Sequence, residues 1–391
     1  MSPAGLLWMP PFLPILAAAA GLMFCSRMGR ARALAFSLAT TLISALALLL
    51  LGRTLLALPA SQRQMEQALF AWMWVGDFNV QPMLRLDGLS LTLAAIITLV
   101  GLSAHLHAFA KSAEKTWIEE TIIVSGLVGT ALLALLADDL LVITAAWVGA
   151  SLCVYIGSGA RLESRPVPCG RLAFFLLACA DAPLLVAAII AYGNSSTTEL
   201  SVALQEAQRM AALQPVPLLA FVGCIVLAVW VRAGLLPFHY WLRASAPYPA
   251  GPAAVVQSTA LVGPALYLLV RCRPVLDLVP PLPTLLALGA GLSALWGALA
   301  AARRTSLRAL LSDSSASQNG FLVLLAALGS PPLAVFLFAL HALGKALAWL
   351  SAAVLESSGA VVSLSPPRRL ARAAPMLALA FWLATAGVLT V

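Results

Sequence analysis

The chain is a succession of apolar runs, each about long enough to cross a lipid bilayer, with short polar gaps between them. A hydrocarbon core about 30 Å thick takes about 20 apolar residues as a helix, and a helix satisfies its own backbone hydrogen bonds where no water can. Runs near 4–25, 33–58, 88–110, 121–137, 140–158, 168–192, 216–235, 250–271, 282–301, 306–328, 331–355 and 373–391 have that length. They predict an all-α, polytopic membrane helix bundle of about 12 transmembrane helices. Composition agrees where it matters, since 62% of the 391 residues are apolar and 10% are charged. Soluble domains are about 25% charged. The whole of 1–391 therefore reads as a single membrane domain.

Two segments do not fit the spanning pattern. The stretch AWMWVGDFNVQPML, within 71–86, carries aromatics, a Gly-Asp turn and short alternation, which predict an interfacial hairpin. Residues 194–214 are polar enough to lie on the surface. The N-terminal run from Leu6 to Met23 has no basic leader and no small-residue cleavage site, so it reads as the first span and not as a signal peptide.

The net charge of +8 would suggest nucleic acid in a soluble protein, but here the basic residues sit in the gaps between spans. Lys and Arg accumulate in cytoplasmic loops. Fifteen follow odd-numbered spans, among them Arg243, Arg303, Arg304 and Arg308, and six follow even-numbered ones, among them Arg85, Arg271 and Arg273. The asymmetry predicts odd loops in the cytoplasm and both termini on the opposite face, with no nucleic acid partner. The six cysteines are scattered without a CxxC pair, so they read as small buried hydrophobes, not as disulfides or zinc ligands.

An ionisable group at membrane depth is costly unless it faces protein, water or a partner, which makes it a functional candidate. The candidates are Asp181, Arg232, His239, Gln257, Asp313, His341, Lys345 and Glu356. A structural ion pair accounts for Asp181 or Asp313 equally well. In FALHALGKALAWL, His341 and Lys345 are four apart and share a helix face. A histidine that titrates near neutrality, beside a lysine shielded from water, is a pairing that a proton relay needs. In VWVRAGLLPFHYWL, Pro237 between Arg232 and His239 removes a backbone donor. That marks either a helix end at the interface or a broken helix lining a wet cavity. Gln257 lies beside Ser258 and Thr259, all able to hold water or bond across helices. The spacing of His105 and His107 points their rings to different sides of a helix and does not suit a metal.

These motifs resemble the antiporter-like, proton-conducting subunits of respiratory complex I and the Mrp antiporters, the NuoL and MrpA type. RLDGLSLTLAAIITLVG at 85–101, ADDLLVITAAWVGASLCVYIG at 137–157, VRAGLLPFHYWL, AARRTSLRALLSDSSASQNGFLVLLAALG at 301–329 and HALGKAL at 341–347 fall in the family's order. The resemblance implies an antiporter-like fold with inverted repeats. Residues 1–110 would hold the N-terminal helices and hairpin, 111–271 a first repeat broken near 232–240, and 282–391 an incomplete second repeat, without the further helices and lateral helix of NuoL.

The sequence also departs from the family. The fifth-span glutamate falls on Val148, the seventh-span lysine on Arg232 and the eighth-span histidine on Gln257. Arginine does not realistically release its proton, so Arg232 serves as a fixed charge. The AWVGASL, LPFHYWL and KALAWLSAAV sequences resemble the DabB branch, membrane subunits of inorganic carbon accumulation systems. This resemblance implies a proton or cation conduit in an energy-coupled CO2/bicarbonate uptake complex. Lys345 and His341 would carry charge, Asp313, Asp181, Gln257 and His239 would supply water-linked steps, and Arg232 would act as an electrostatic gate. The chain would be a transporter subunit with no catalytic residue, metal or cofactor of its own. Zinc and catalysis would belong to a large soluble or peripheral DabA-like partner on the cytoplasmic side. The alternatives are a proton-pumping subunit of a complex I-like or Mrp-type assembly, and a membrane scaffold with a decayed ion path.

Overall fold

The computed structural model describes residues 3–24, 27, 29–70, 73–75, 78–110, 117–159 and 168–357. The predicted spans up to residue 355 have helical counterparts here, and the one at 373–391 lies outside the described residues. The first helices are α1 (Met9–Phe24) and α2 (Arg30–Ala57), followed by strands β1 (Gln64–Ala68), β2 (Met73–Val75), β3 (Phe78–Val80) and β4 (Met83–Asp87). Next come α3 (Gly88–Ala110), α4 (Trp117–Leu136), α5 (Leu140–Gly159), α6 (Pro168–Ser195), α7 (Leu200–Leu213) and α8 (Pro215–Arg232). After an interruption the chain forms α9 (Tyr240–Ser245), α10 (Ala250–Val255), a π-helical turn (Val256–Ala260) and α11 (Val262–Leu276). It continues through α12 (Pro281–Ala302), α13 (Leu307–Ala327) and α14 (Pro331–Ser357). Among the described residues, nine helices are long and apolar enough to cross a membrane. The helix α13 is not among them, because its SDSSASQN stretch makes it polar.

The ladder α10–π–α11 is almost entirely buried and forms the middle of the bundle, packed against α3, α4, α8, α13 and α14. Large apolar side chains on the surrounding helices face outward, as expected where the solvent is lipid. The helices α12 and α13 pack with their backbones close together. A Cβ on Gly320 would stand 2.7 Å from the Ala290 carbonyl oxygen, and one on Gly297 would stand 2.5 Å from the Ser317 nitrogen. Small residues let backbones meet in this way.

The hairpin region extends further than 71–86. β1 pairs antiparallel with β4 in the register Gln64↔Asp87, and β2 pairs with β3 in the register Met73↔Val80. Leu84 and Leu86 of β4 are buried against Leu7, Leu51, Leu55 and Leu136, which pins the ribbon to the ends of α2 and α4. The surface segment at 194–214 contains α7, which buries Leu200, Ala203, Ala207 and Met210 at helical spacing.

The loops alternate between two faces. On one, the Asp87 carboxylate meets Arg271, and Arg85 lies 3.6 Å from Asp138. Asp87 Oδ1 also accepts the Leu89 and Ser90 amides at 3.1 Å, capping α3. Asp139 caps α5 in the same way. On the other face, Arg243, Arg304 and Arg308 converge with Asp313 and Glu356. Among the described residues, Arg243, Arg304 and Arg308, which follow odd-numbered spans, thus share one end of the molecule, and Arg85 and Arg271, which follow even-numbered ones, share the other.

Candidate functional site

Among the described residues, two polar centres built on buried cations lie on either side of the interruption after α8. Arg232, the last residue of α8, is fully buried. Its Nη1 donates to Ser151 Oγ at 2.8 Å and to Asp181 Oδ1 at 3.2 Å, and its Nη2 donates to the Trp147 carbonyl at 2.9 Å. The Ser151 hydroxyl donates to Asp181 Oδ2 at 2.8 Å, and the guanidinium carbon lies 4.9 Å from the centre of the Trp147 ring. Extra hydrogen bonds to the guanidinium offset the cost of burying the pair, and arginine's rigid fork suits this arrangement, with Nε left without a partner among the described residues. Val148, where the family carries a glutamate, is 37% exposed and points away. The carboxylate facing Arg232 comes instead from Asp181 on α6, one helix further along.

The interruption over 233–239 frees backbone groups that side chains from elsewhere satisfy. Gly234 has φ +70°, a conformation that a side chain would strain, and the Leu236–Pro237 bond is cis. Asn319 Nδ2 donates to the Ala233 carbonyl at 2.9 Å, and the Leu236 amide donates to Ser293 Oγ at 3.0 Å. The Trp230 and Trp241 indoles donate to the carbonyls of Leu236 and Val231 at 2.7 Å and 3.0 Å. The sequence left open whether Pro237 ends a helix or breaks one. The structure has a broken element, buried over 233–235 and exposed at Pro237, with α9 resuming after it. His239 is buried between the Tyr240 and Trp296 rings, whose centroids lie 4.3 Å and 4.2 Å away. Neither of its ring nitrogens has a hydrogen-bond partner among the described residues.

The second centre lies where α14 faces α13. Lys345 is 1% exposed, and its Nζ donates to the Leu311 carbonyl at 3.2 Å and to the Ser314 hydroxyl. Among the described residues no carboxylate lies within ion-pair distance of this ammonium. One turn away, His341 is equally buried, and its Nδ1 bonds Gln318 Oε1 at 2.9 Å. Gln257 lies in the π-helical turn, where its Nε2 donates to the Leu242 carbonyl at 2.7 Å and to Ser245 Oγ at 3.0 Å. Its Oε1 is buried without a partner among the described residues. Such turns inside α-helices recur at functional sites.

Asp313 belongs to neither centre. It is buried at the end of α13's polar face, where Arg243 Nε and Arg304 Nε each donate to it at 2.6 Å. Glu356, which the sequence placed at membrane depth, is partly exposed and bonds Arg308 at the end of α14. His105 is a satisfied core histidine, bonded to the Gly101 carbonyl at 2.9 Å and to Ser125 Oγ at 3.0 Å. Among the described residues no group of three or more His, Cys, Asp or Glu is placed to hold a metal ion. Sequence reasoning did not single out Trp147, Ser151, Ser314, Gln318 or Asn319. The run of hydroxyl and amide residues SDSSASQN in an apolar setting was the available signal for the last three.

Residues 137–391 match the family described as "NADH:quinone oxidoreductase/Mrp antiporter, TM". Residues 72–110 match "NADH-Ubiquinone oxidoreductase (complex I), chain 5 N-terminus". The chain is 28% identical over 307 residues to NADH-quinone oxidoreductase subunit L of Pseudomonas aeruginosa, covering 75% of this chain and 47% of that protein. It is 26% identical over 295 residues to subunit L of Escherichia coli, covering 73% and 47%. It therefore spans about half the length of these relatives. Its fold is that of a chain in the Mrp complex from Dietzia sp. DQ12-45-1b, with a TM-score of 0.77 at 22% identity over 92% of this chain and 38% of that one. A chain of the archaeal membrane-bound sulfane sulfur reductase shares the fold with a TM-score of 0.75 at 21% identity, covering 89% and 56%. With the Lys345–His341 face and the broken helix in the places the motifs require, the chain belongs to the NADH:quinone oxidoreductase/Mrp antiporter family of multi-pass membrane proteins.

Proposed function

We propose that this chain is the ion-translocating, antiporter-like subunit of a larger membrane complex, in which Lys345 and His341 carry a proton through the second half of the bundle. The observation that carries the reading is the setting of Lys345, buried among neutral oxygens with no carboxylate among the described residues to hold its charge. Such a lysine exchanges its proton without breaking an ion pair, and His341 one turn away receives or supplies it. Arg232 is a fixed charge that keeps its proton, balanced by Asp181. The relatives, subunit L of NADH-quinone oxidoreductases and an Mrp complex chain, favour proton pumping in a complex I-like or Mrp-type assembly over inorganic carbon uptake. Residues 111–271 and 282–391 are taken as the two repeats, the odd-loop face as cytoplasmic and the membrane as the bacterial inner one.

The test is proton flux into proteoliposomes containing the chain with its native partners, followed with a pH-sensitive dye. Lys345→Ala abolishes flux while the complex still assembles. Unchanged flux sinks the reading and leaves a scaffold. A second reading, the DabB-type carbon uptake subunit, is favoured by Val148 and Arg232 standing where the family has its glutamate and lysine. It requires that a large zinc protein copurify with the chain from native membranes. Small membrane subunits alone would exclude it.

A further inference from the structure

The odd-loop face carries two clefts that the ion path does not use. One, of about 370 Å³, is lined by Arg243, Trp296, Leu299, Ala300, Arg303 and Arg304. The other, of about 400 Å³, adjoins it and shares Arg243 and Arg304. Asp313 engages each of these two arginines through Nε, which leaves their terminal Nη nitrogens for another acceptor. One carboxylate thus faces two guanidiniums, with Arg303 beside them, so the cleft keeps an excess of positive charge. Arg308 is accounted for by Glu356.

The remaining walls say which anion fits. Below the arginines, α12 presents Leu285, Leu288, Leu292, Leu295 and Leu299 as one outward stripe, each at least 54% exposed. Trp296 and Tyr240 lie at the boundary, with Arg243 at 5.2 Å and 5.6 Å from their ring centres, as aromatic residues do at the headgroup level. A free phosphate would use only the guanidiniums. A guanidinium-lined cleft continuous with an apolar, membrane-facing stripe matches a molecule with an anionic head and acyl tails. We infer that the cleft lined by Arg243, Arg303 and Arg304 is a binding site for an acidic phospholipid, with its phosphate on the arginines and its chains along α12.

The test uses the full chain in nanodiscs of phosphatidylcholine doped with phosphatidylglycerol, counting retained lipid by native mass spectrometry after transfer to detergent. The wild type retains phosphatidylglycerol in preference to phosphatidylcholine, and Arg303→Gln lowers that preference about fivefold, as expected for one basic residue at a membrane surface. Arg303→Lys restores most of it. Excess inorganic phosphate fails to displace the bound lipid. No preference in the wild type, full displacement by phosphate, or an unchanged preference in Arg303→Gln would each overturn the assignment. Arg303 is exposed and makes no contact with Asp313. Should its variant nevertheless misfold, lipid protection of the wild type against thermal unfolding gives the same comparison, and equal protection by both lipids counts against the site.

Discussion

At the scale of single residues, the protein keeps two cations in its interior and treats them in opposite ways. Arg232 has a carboxylate, a hydroxyl, a carbonyl and an aromatic face, whereas Lys345 has only neutral oxygens. Asp181→Asn therefore strands a buried guanidinium and costs about 3–5 kcal/mol of stability, while Asp181→Asn with Arg232→Met costs much less. Thermal unfolding in detergent checks both, and a single variant as stable as wild type would refute the account. Asp87, outside the spans, gives a pH signature. Burial pushes its carboxyl up, but the Arg271 charge and hydrogen bond, with the Ser90 amide, bring it below the ordinary carboxylate value. A folded-state value below the unfolded one means that this contribution is present above about pH 4 and is lost as pH falls through the folded value. Arg271→Gln flattens that acid loss, which the unfolding midpoint measured against pH would show. The sequence pointed to His341, Lys345, Arg232 and Asp181 because ionisable residues stand out against an apolar background. It did not pair Arg232 with Ser151 and Trp147, because those contacts span more than eighty positions and serine or tryptophan in a membrane helix carries no signal of its own.

At the scale of elements, length and apolarity were enough to locate the helices, because lipid permits few other backbone forms. What sequence could not supply was the course of the chain from Arg232 to Tyr240. Pro237 announced an irregularity, but the backbone groups it frees are met by Ser293 and Asn319, which belong to α12 and α13. The α12–α13 contact makes a prediction of its own. Gly320→Ala forces backbones apart and destabilises by about 1–3 kcal/mol. Gly291→Ala, on the same helix pair but with open space around it, is neutral or gains up to about 1 kcal/mol from helix propensity. Equal effects in a thermal shift assay would mean the two helices are not so closely packed.

At the scale of the whole molecule, the orientation proposed from the positive-inside rule, with the Arg243, Arg303 and Arg304 face in the cytoplasm, makes a prediction. Asp277→Cys and Arg303→Cys, in a background with the native cysteines replaced, should react with an impermeant maleimide from opposite sides of the membrane, Arg303→Cys only after permeabilisation. Labelling of both in intact cells would invert or abolish the assigned topology. The alternation of faces could be read from the sequence, since it follows from counting spans. The central position of the α10–π–α11 ladder could not, because apolar runs with similar hydropathy occupy the rim and the middle alike.

The interrupted helix is fastened at Ala233 by Asn319 and at Leu236 by Ser293, and these two anchors sit on helices whose glycines press their backbones together. A slab built in this way has little play against the gap it spans. Its α13 member also carries Gln318, which holds the His341 ring. The α12–α13 pair thus reaches both polar centres, touching the backbone next to Arg232 through Asn319 and the ring of His341 through Gln318.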